Sequence, residues 1–405
     1  MAFRITSRRL AARVTATTTA TTTPVSNPAS TATKATRAYA AVGVETPTWT
    51  KSTLPIPPTA VRNAIAKPNQ ILRAAVAATE PRNDWTREQI TAIYHEPLME
   101  LVHQAHDPPP VPRPRRGPAV HPDEYQDGRL HRGLQVLRAV DALPKGTGLQ
   151  AKKVESVESV LEAARIAREN GSTRFCMGAA WRDMRGRKNS LHNIAAMIRG
   201  VRELGMEACV TLGMIDAHQA RELKEAGLTA YNHNVDTSRE FYPSVISTRT
   251  YDERLQTLGH VRDAGINVCS GGILGLGEET TDRVGLLHTV STLPAHPESF
   301  PVNALVPIKG TPLGDREPLA FTEMLRTVAT ARVLMPGTII RIAAGRKTMS
   351  EEKQALCFMA GANAIFTGEK MLTTECNGYD EDKAMFERWG LEPMKSFQKS
   401  PKPDA

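Results

Sequence analysis

Five cysteines punctuate the chain, and three of them lie in runs of strand length: Cys176, Cys209 and Cys269. Cys176 falls in Thr173-Arg-Phe-Cys-Met-Gly178, Cys209 in Glu207-Ala-Cys-Val-Thr-Leu212 and Cys269 in Ile266-Asn-Val-Cys-Ser-Gly271. A fourth apolar run, Thr338-Ile-Ile-Arg-Ile-Ala-Ala344, carries Arg341. Taken alone, a strand cysteine is more often a small buried hydrophobe than a ligand. The arginine shifts the balance, because a guanidinium inside an apolar strand is costly unless an anion pairs with it. Three thiolates and one arginine converging from four strands would surround a cationic iron–sulfur unit. Ordinary packing remains the alternative. An odd cysteine count spread through a long chain argues against a disulfide framework.

A second group of polar residues stands at strand ends. Tyr231-Asn-His-Asn-Val-Asp-Thr237 offers Asn232, His233, Asn234 and Asp236, and Asn303 follows an apolar run in the same way. The glycine-rich Gly271-Gly-Ile-Leu-Gly-Leu-Gly277 would let backbone approach a ligand closely, or serve only as a turn. His233 alone reads as a hydrogen-bonded structural residue.

These side chains need a frame that brings strand ends together. From Val154 onward, apolar residues at helical spacing alternate with short strand-like runs. Val157, Val160, Leu161 and Ala164 share one helix face with Gly171 as its stop, and Thr250 with Glu253 forms a capping box. A helix is expected over Thr86–Gln104, and further strands near Pro301–Val306, Thr338–Ala343 and Ala364–Thr367. Seven βα-like units in series predict a parallel sheet of α/β class. That is one short of a (β/α)₈ TIM-type barrel, so the first strand should precede Val154. The window 107–145 offers instead a Pro/Arg run, Asp107 to Gly117, suited to extended chain or a surface insertion.

The 405 residues allow one large domain or two smaller ones, and no run reaches the ~20 apolar residues of a membrane span. The net charge of +8 suggests a polyanionic partner until it is located: Arg4, Arg8, Arg9, Arg13, Lys34 and Arg37 precede the first acid, Glu45. The remainder calls for no nucleic acid. An acid-free stretch rich in Ser, Thr, Ala and Arg has the composition of a mitochondrial transit peptide, here 1–39, ending at Arg37-Ala38-Tyr39. A Pro/Ala-rich linker over 40–82 follows, then the barrel over 83–395 and a tail over 396–405, the N-terminal extension being expected as disordered.

Four longer motifs resemble the biotin synthase family: Arg174-Phe-Cys-Met-Gly-Ala-Ala-Trp181, Tyr231 to Thr237, Val268-Cys-Ser-Gly-Gly-Ile273 and Ala355-Leu-Cys-Phe-Met-Ala-Gly-Ala-Asn363. The likeness runs from about Trp85 to Pro393, the window 107–145 excepted. It implies a barrel of the radical S-adenosylmethionine superfamily. There a [4Fe-4S] cluster cleaves S-adenosylmethionine, the resulting radical abstracts hydrogens from dethiobiotin, and a [2Fe-2S] cluster supplies sulfur. By this resemblance Cys176, Cys209, Cys269 and Arg341 are the [2Fe-2S] ligands. Asn234, Asp236 and Arg254 line the S-adenosylmethionine pocket, while Asn234 and Asn303 contact dethiobiotin. Cys357 and Cys376 match no ligand. The resemblance also implies a mitochondrial matrix enzyme with an electron donor, a supply from the iron–sulfur assembly machinery, and a homodimer.

The family carries Cys-x₃-Cys-x₂-Cys after the first barrel strand to hold the [4Fe-4S] cluster, yet no cysteine precedes Cys176. As written, the chain is therefore expected to generate no radical. A one-base forward shift of reading frame from about Arg116 to Pro144 restores what is missing. Val120 to Arg138 then admits Cys-Thr-Leu-Met-Ser-Ile-Lys-Thr-Gly-Gly-Cys-Thr-Glu-Asp-Cys-Lys-Tyr-Cys. The three motif codons straddle Leu130/His131, Leu134/Gln135 and Leu137/Arg138. The shifted frame supplies both a strand and the cluster loop. The competing reading is a non-catalytic barrel that keeps only the [2Fe-2S] site. A lysine Schiff-base enzyme is disfavoured, since no buried strand lysine stands out.

Overall fold

Helix caps and glycine stops divide the chain into repeating units. The structure is a computed structural model that describes residues 3–4, 70–106, 155–179, 181–307, 311, 313–367, 370–371, 374–375 and 377–393. All of the proposed transit peptide but residues 3–4, residues 40–69 of the linker, the window 107–145 and the whole tail lie outside them.

Ser156 caps α3 (Val157–Glu169) by accepting from the Ser159 backbone, and its buried face is Val160, Ala163, Ala164 and Ala167. Gly171, at φ 89°, turns the chain into β1 (Arg174–Gly178). The pattern repeats through α4 (Lys188–Glu203), β2 (Glu207–Thr211), α5 (Ala217–Glu225) and β3 (Ala230–Asn232). Next come α6 (Tyr251–Asp263), opened by the Thr250/Glu253 capping box, β4 (Asn267–Cys269), β5 (Gly272–Leu274) and α7 (Thr280–Ser291). The last units are β6 (Ser299–Ala304), α8 (Phe321–Leu334), β7 (Ile339–Ile342), α9 (Glu351–Met359), β8 (Ala364–Ile365) and α10 (Tyr379–Trp389).

The strands form one parallel sheet in the order β1-β2-β3-β4-β6-β7-β8, with β5 continuing the β4 position against β6. This is the wall of a TIM-type α/β barrel, and among the described residues β1 and β8 are left as its edges. The expected first strand lies outside the described residues. Helices cover the outer face, where Phe175, Met177, Ala208, Val210, Phe300, Ile340 and Ile342 are buried.

Two expectations need correcting. The helix expected over Thr86–Gln104 is two helices, α1 (Arg87–Tyr94) and α2 (Leu98–His106). Pro97 disfavours helical backbone at Glu96 and brings no N–H, so α1 ends at His95 and α2 starts afresh. The strand expected over Ile266–Gly271 is only β4, ending at Cys269, and a separate strand β5 begins at Gly272, beyond that run. A Cβ on Gly271 would stand 2.1 Å from the Pro301 carbonyl oxygen, so this glycine admits the neighbouring strand β6, not a ligand.

Candidate functional site

Strand register decides which side chains share the barrel interior. Cys176 pairs with Cys209 across β1 and β2, Asn232 with Cys269 across β3 and β4, and Pro301 with Arg341 across β6 and β7. Paired residues point to the same face, and so do residues two apart on a strand. All of these line one cavity of about 680 Å³, together with Asn234 and Asn303. The three cysteines and the arginine read from the sequence therefore meet in one place.

The cavity floor is electrostatically built. Arg341 is buried, donates to the Ile365 carbonyl at 3.0 Å, and holds its guanidinium carbon 4.8 Å from the Phe366 ring centroid. Burial pushes the Cys269 thiol up, while Arg341 and then Ser299 pull it back. Cys209 is held well above the usual thiol range, first by its hydrogen bond with Cys176 and then by burial. Among the described residues no three His, Cys, Asp or Glu side chains converge on a point that would hold a single metal ion. Thiols spread over three strands, with an arginine opposite, fit a larger two-iron unit better than one ion.

The rim is set by amides. Asn303 donates to the Gly272 carbonyl at 2.9 Å and accepts from the Ala344 N–H at 3.2 Å, fixing its side chain between β5 and the end of β7. Asn234 accepts from the Gly271 N–H at 3.1 Å. Asp236 and Arg254 stand outside the cavity lining. They pair with each other at 2.5 Å, and Arg254 also donates to the Asn234 carbonyl at 2.5 Å and the Tyr242 hydroxyl at 2.6 Å. Asp236 takes φ 69°, a strained choice for a residue with a side chain, and burial outweighs Arg254 and Arg249 to raise its carboxyl above the usual range. His233 is buried next to this pair, and burial, then Arg254 and Arg249, hold its imidazole well below its ordinary value. It does not line the cavity.

Two residues were missed by sequence reasoning. Arg174 lines the cavity one layer below Cys176, and Glu207 lies opposite it in register, their side chains 2.6 Å apart. Burial works against the Arg174 cation, but Glu207 first, then Cys209, Cys176 and Cys269, hold it firmly protonated. The period of two from Cys176 and Cys209 was the signal that could have found both. Cys357 is buried in α9, apart from the cavity, with its thiol pushed up to about 12 by burial, and Cys376 lies outside the described residues.

Residues 142–290 match the Radical SAM superfamily and residues 301–392 match the Biotin and Thiamin Synthesis associated domain. The chain is 62% identical over 342 residues to a protein of Emericella nidulans named mitochondrial biotin synthase, covering 81% of this chain and 83% of that one. It is 50% identical over 345 residues to the mitochondrial biotin synthase of Saccharomyces cerevisiae, covering 81% and 88%. Among solved structures, methylornithine synthase superposes with a TM-score of 0.61 at 14% identity over 81% of this chain and 97% of that one, a likeness of fold alone.

Proposed function

The chain belongs to the biotin synthase family of radical S-adenosylmethionine enzymes, and we propose that its cavity is where dethiobiotin receives sulfur. The superfamily implies a [4Fe-4S] cluster and S-adenosylmethionine, and the family a [2Fe-2S] cluster, dethiobiotin and an electron donor. The observation that carries the reading is the convergence of Cys176, Cys209, Cys269 and Arg341 with Asn234 and Asn303 on one cavity.

The three cysteines and Arg341 would hold the [2Fe-2S] cluster, which supplies sulfur when bound. Arg341 is the only one of the four that is not a thiolate, so it adds no negative charge to the ligand set. Asn303 and Asn234 would orient the ureido ring of dethiobiotin with the amide N–H and oxygen lone pair that their backbone hydrogen bonds leave over. Asp236 and Arg254 support the S-adenosylmethionine pocket from behind by fixing the backbone of Asn234. A homodimer and delivery of iron–sulfur units by assembly proteins complete the reading. Relatives named mitochondrial and the acid-free N-terminal stretch support mitochondrial placement, the matrix being the compartment a transit peptide leads to.

We infer that residues from about Arg116 to Pro144 are a wrong-frame segment. The superfamily match starts at residue 142, close to where the alternative frame returns to register. The chain as written then lacks the [4Fe-4S] ligands, and only the frame-restored chain completes the enzyme. Complementation of a biotin auxotroph tests this: the frame-restored gene should support growth and the literal one should not. Growth from the literal sequence overturns the reading, and a transcript colinear with it favours a barrel that keeps only a [2Fe-2S] site.

A further inference from the structure

Arg174 has no role in the ligand set, yet its setting is a costly one. It is about 1% exposed, its Nε donates to Glu207 Oε2 at 2.6 Å, and Glu207 is itself buried. A buried ion pair is often no better for stability than apolar residues of the same volume, and barrel interiors are ordinarily filled by Val, Ile and Leu. Packing alone therefore does not call for this pair.

Its hydrogen bonding is also incomplete. Arg346 is as deeply buried, but is met by Asp382 at 2.6 and 2.7 Å, by Gln354 at 2.9 Å and by the Phe366 carbonyl at 2.9 Å. Arg332 is held by the carbonyls of Gly361, Pro336 and Thr338. By contrast, Arg174 Nη2 is buried with no hydrogen-bond partner among the described residues. A buried guanidinium N–H left without an acceptor is a heavy penalty unless something arrives to accept it. Arg174 lines the cavity that holds Cys176, Cys209 and Cys269, one layer nearer the N-terminal ends of the strands.

We infer that Arg174 is a positioning residue for the iron–sulfur unit, its Nη2 donating from below to a sulfur of the cluster or of a cysteine ligand, with Glu207 fixing its direction. This inference rests on the cavity reading given above. Three thiolates around two irons and two sulfides make an anionic assembly, and one-electron reduction adds a further negative charge. A cation held beneath it in a low-dielectric floor favours the reduced form, and Glu207 moderates that effect. Arg341 faces the unit from a different strand, so two guanidinium groups flank it.

The signs of these charges give a test that a structural role would not pass. The chain is reconstituted with ferrous iron and sulfide, and its two-iron centre is titrated by visible absorption against a redox mediator series. Glu207→Gln leaves the cation unmoderated and should shift the equilibrium toward the reduced form by about tenfold, ~59 mV for one electron. Arg174→Met with Glu207→Gln removes both charges with little change of volume, and should shift it the opposite way and speed iron loss to a chelator. Arg174→Lys should lie nearest to the parent chain. Shifts in opposite directions support the inference. Equal potentials in all variants, or shifts of the same sign, overturn it while leaving the cavity reading intact. A parent chain that takes up no two-iron centre overturns both. Should the double variant fail to fold, the sign of the Glu207→Gln shift still decides.

Discussion

Replacing Arg254 with methionine removes the guanidinium that ties the loop after β3 together. Arg254 meets Asp236 at 2.5 Å, the Asn234 carbonyl at 2.5 Å and the Tyr242 hydroxyl at 2.6 Å, with its side chain 8% exposed and that of Asp236 12%. Methionine keeps the stem but leaves Asp236 as a buried carboxyl without its closest counter-charge. Breaking one partner of such a pair typically costs about 3–5 kcal/mol, and that is the loss expected at pH 7. The pH dependence follows from the Asp236 carboxyl, which burial already raises and which rises further without Arg254. Between the unfolded value of about 3.9 and that raised folded value, the native variant binds a proton that the unfolded chain releases. The variant therefore recovers stability as pH falls, and its gap from the parent narrows by up to about 1.4 kcal/mol per pH unit. Urea melts of both proteins at pH 5, 6 and 7 measure this. A loss under about 1 kcal/mol, or a gap that stays constant across the three pH values, would refute the reasoning. Adding Asp236→Asn should abolish the pH dependence of the gap.

Other consequences can be checked with the same protein. His233, His288 and His296 are all held below the ordinary histidine value, chiefly by burial, so they stay neutral in the fold while the unfolded chain protonates below about pH 6.5. Stability should fall with pH below that point, and His233→Gln should flatten the slope by up to about 1.4 kcal/mol per pH unit in acid melts. Gly271→Ala drives a Cβ to 2.1 Å from the Pro301 carbonyl oxygen and should destabilise by about 3 kcal/mol or more, whereas Gly205→Ala, in open space at φ 80°, should cost about 1 kcal/mol in urea. Cys357→Ala should lower stability by about 1–2 kcal/mol yet leave iron uptake unchanged, while Cys209→Ser should abolish uptake, as iron assays of reconstituted variants would read.

Much of the frame was legible because hydrophobic period and caps act locally. Thr250 with Glu253 announced α6, and Gly171 announced the end of α3. Cys176 and Cys209 could be placed in strands, and their direct opposition followed once β1 and β2 paired in register. What escaped depended on contacts between distant segments. Gly271 looked like a ligand-approach site, but the demand on it comes from Pro301 on β6. Arg174 and Glu207 are ordinary surface types until parallel pairing buries both, and only then does their charge become informative. Pro97 breaks the helix even though apolar residues continue on both sides of it, because the proline acts through the backbone and not through the hydrophobic pattern.

The most direct test is the iron content of the literal chain after anaerobic reconstitution, set against that of the frame-restored chain. About two iron atoms per literal chain are expected, with the visible spectrum of a two-iron centre, and about six per restored chain. A literal chain that holds about six iron atoms, or none, would contradict that expectation.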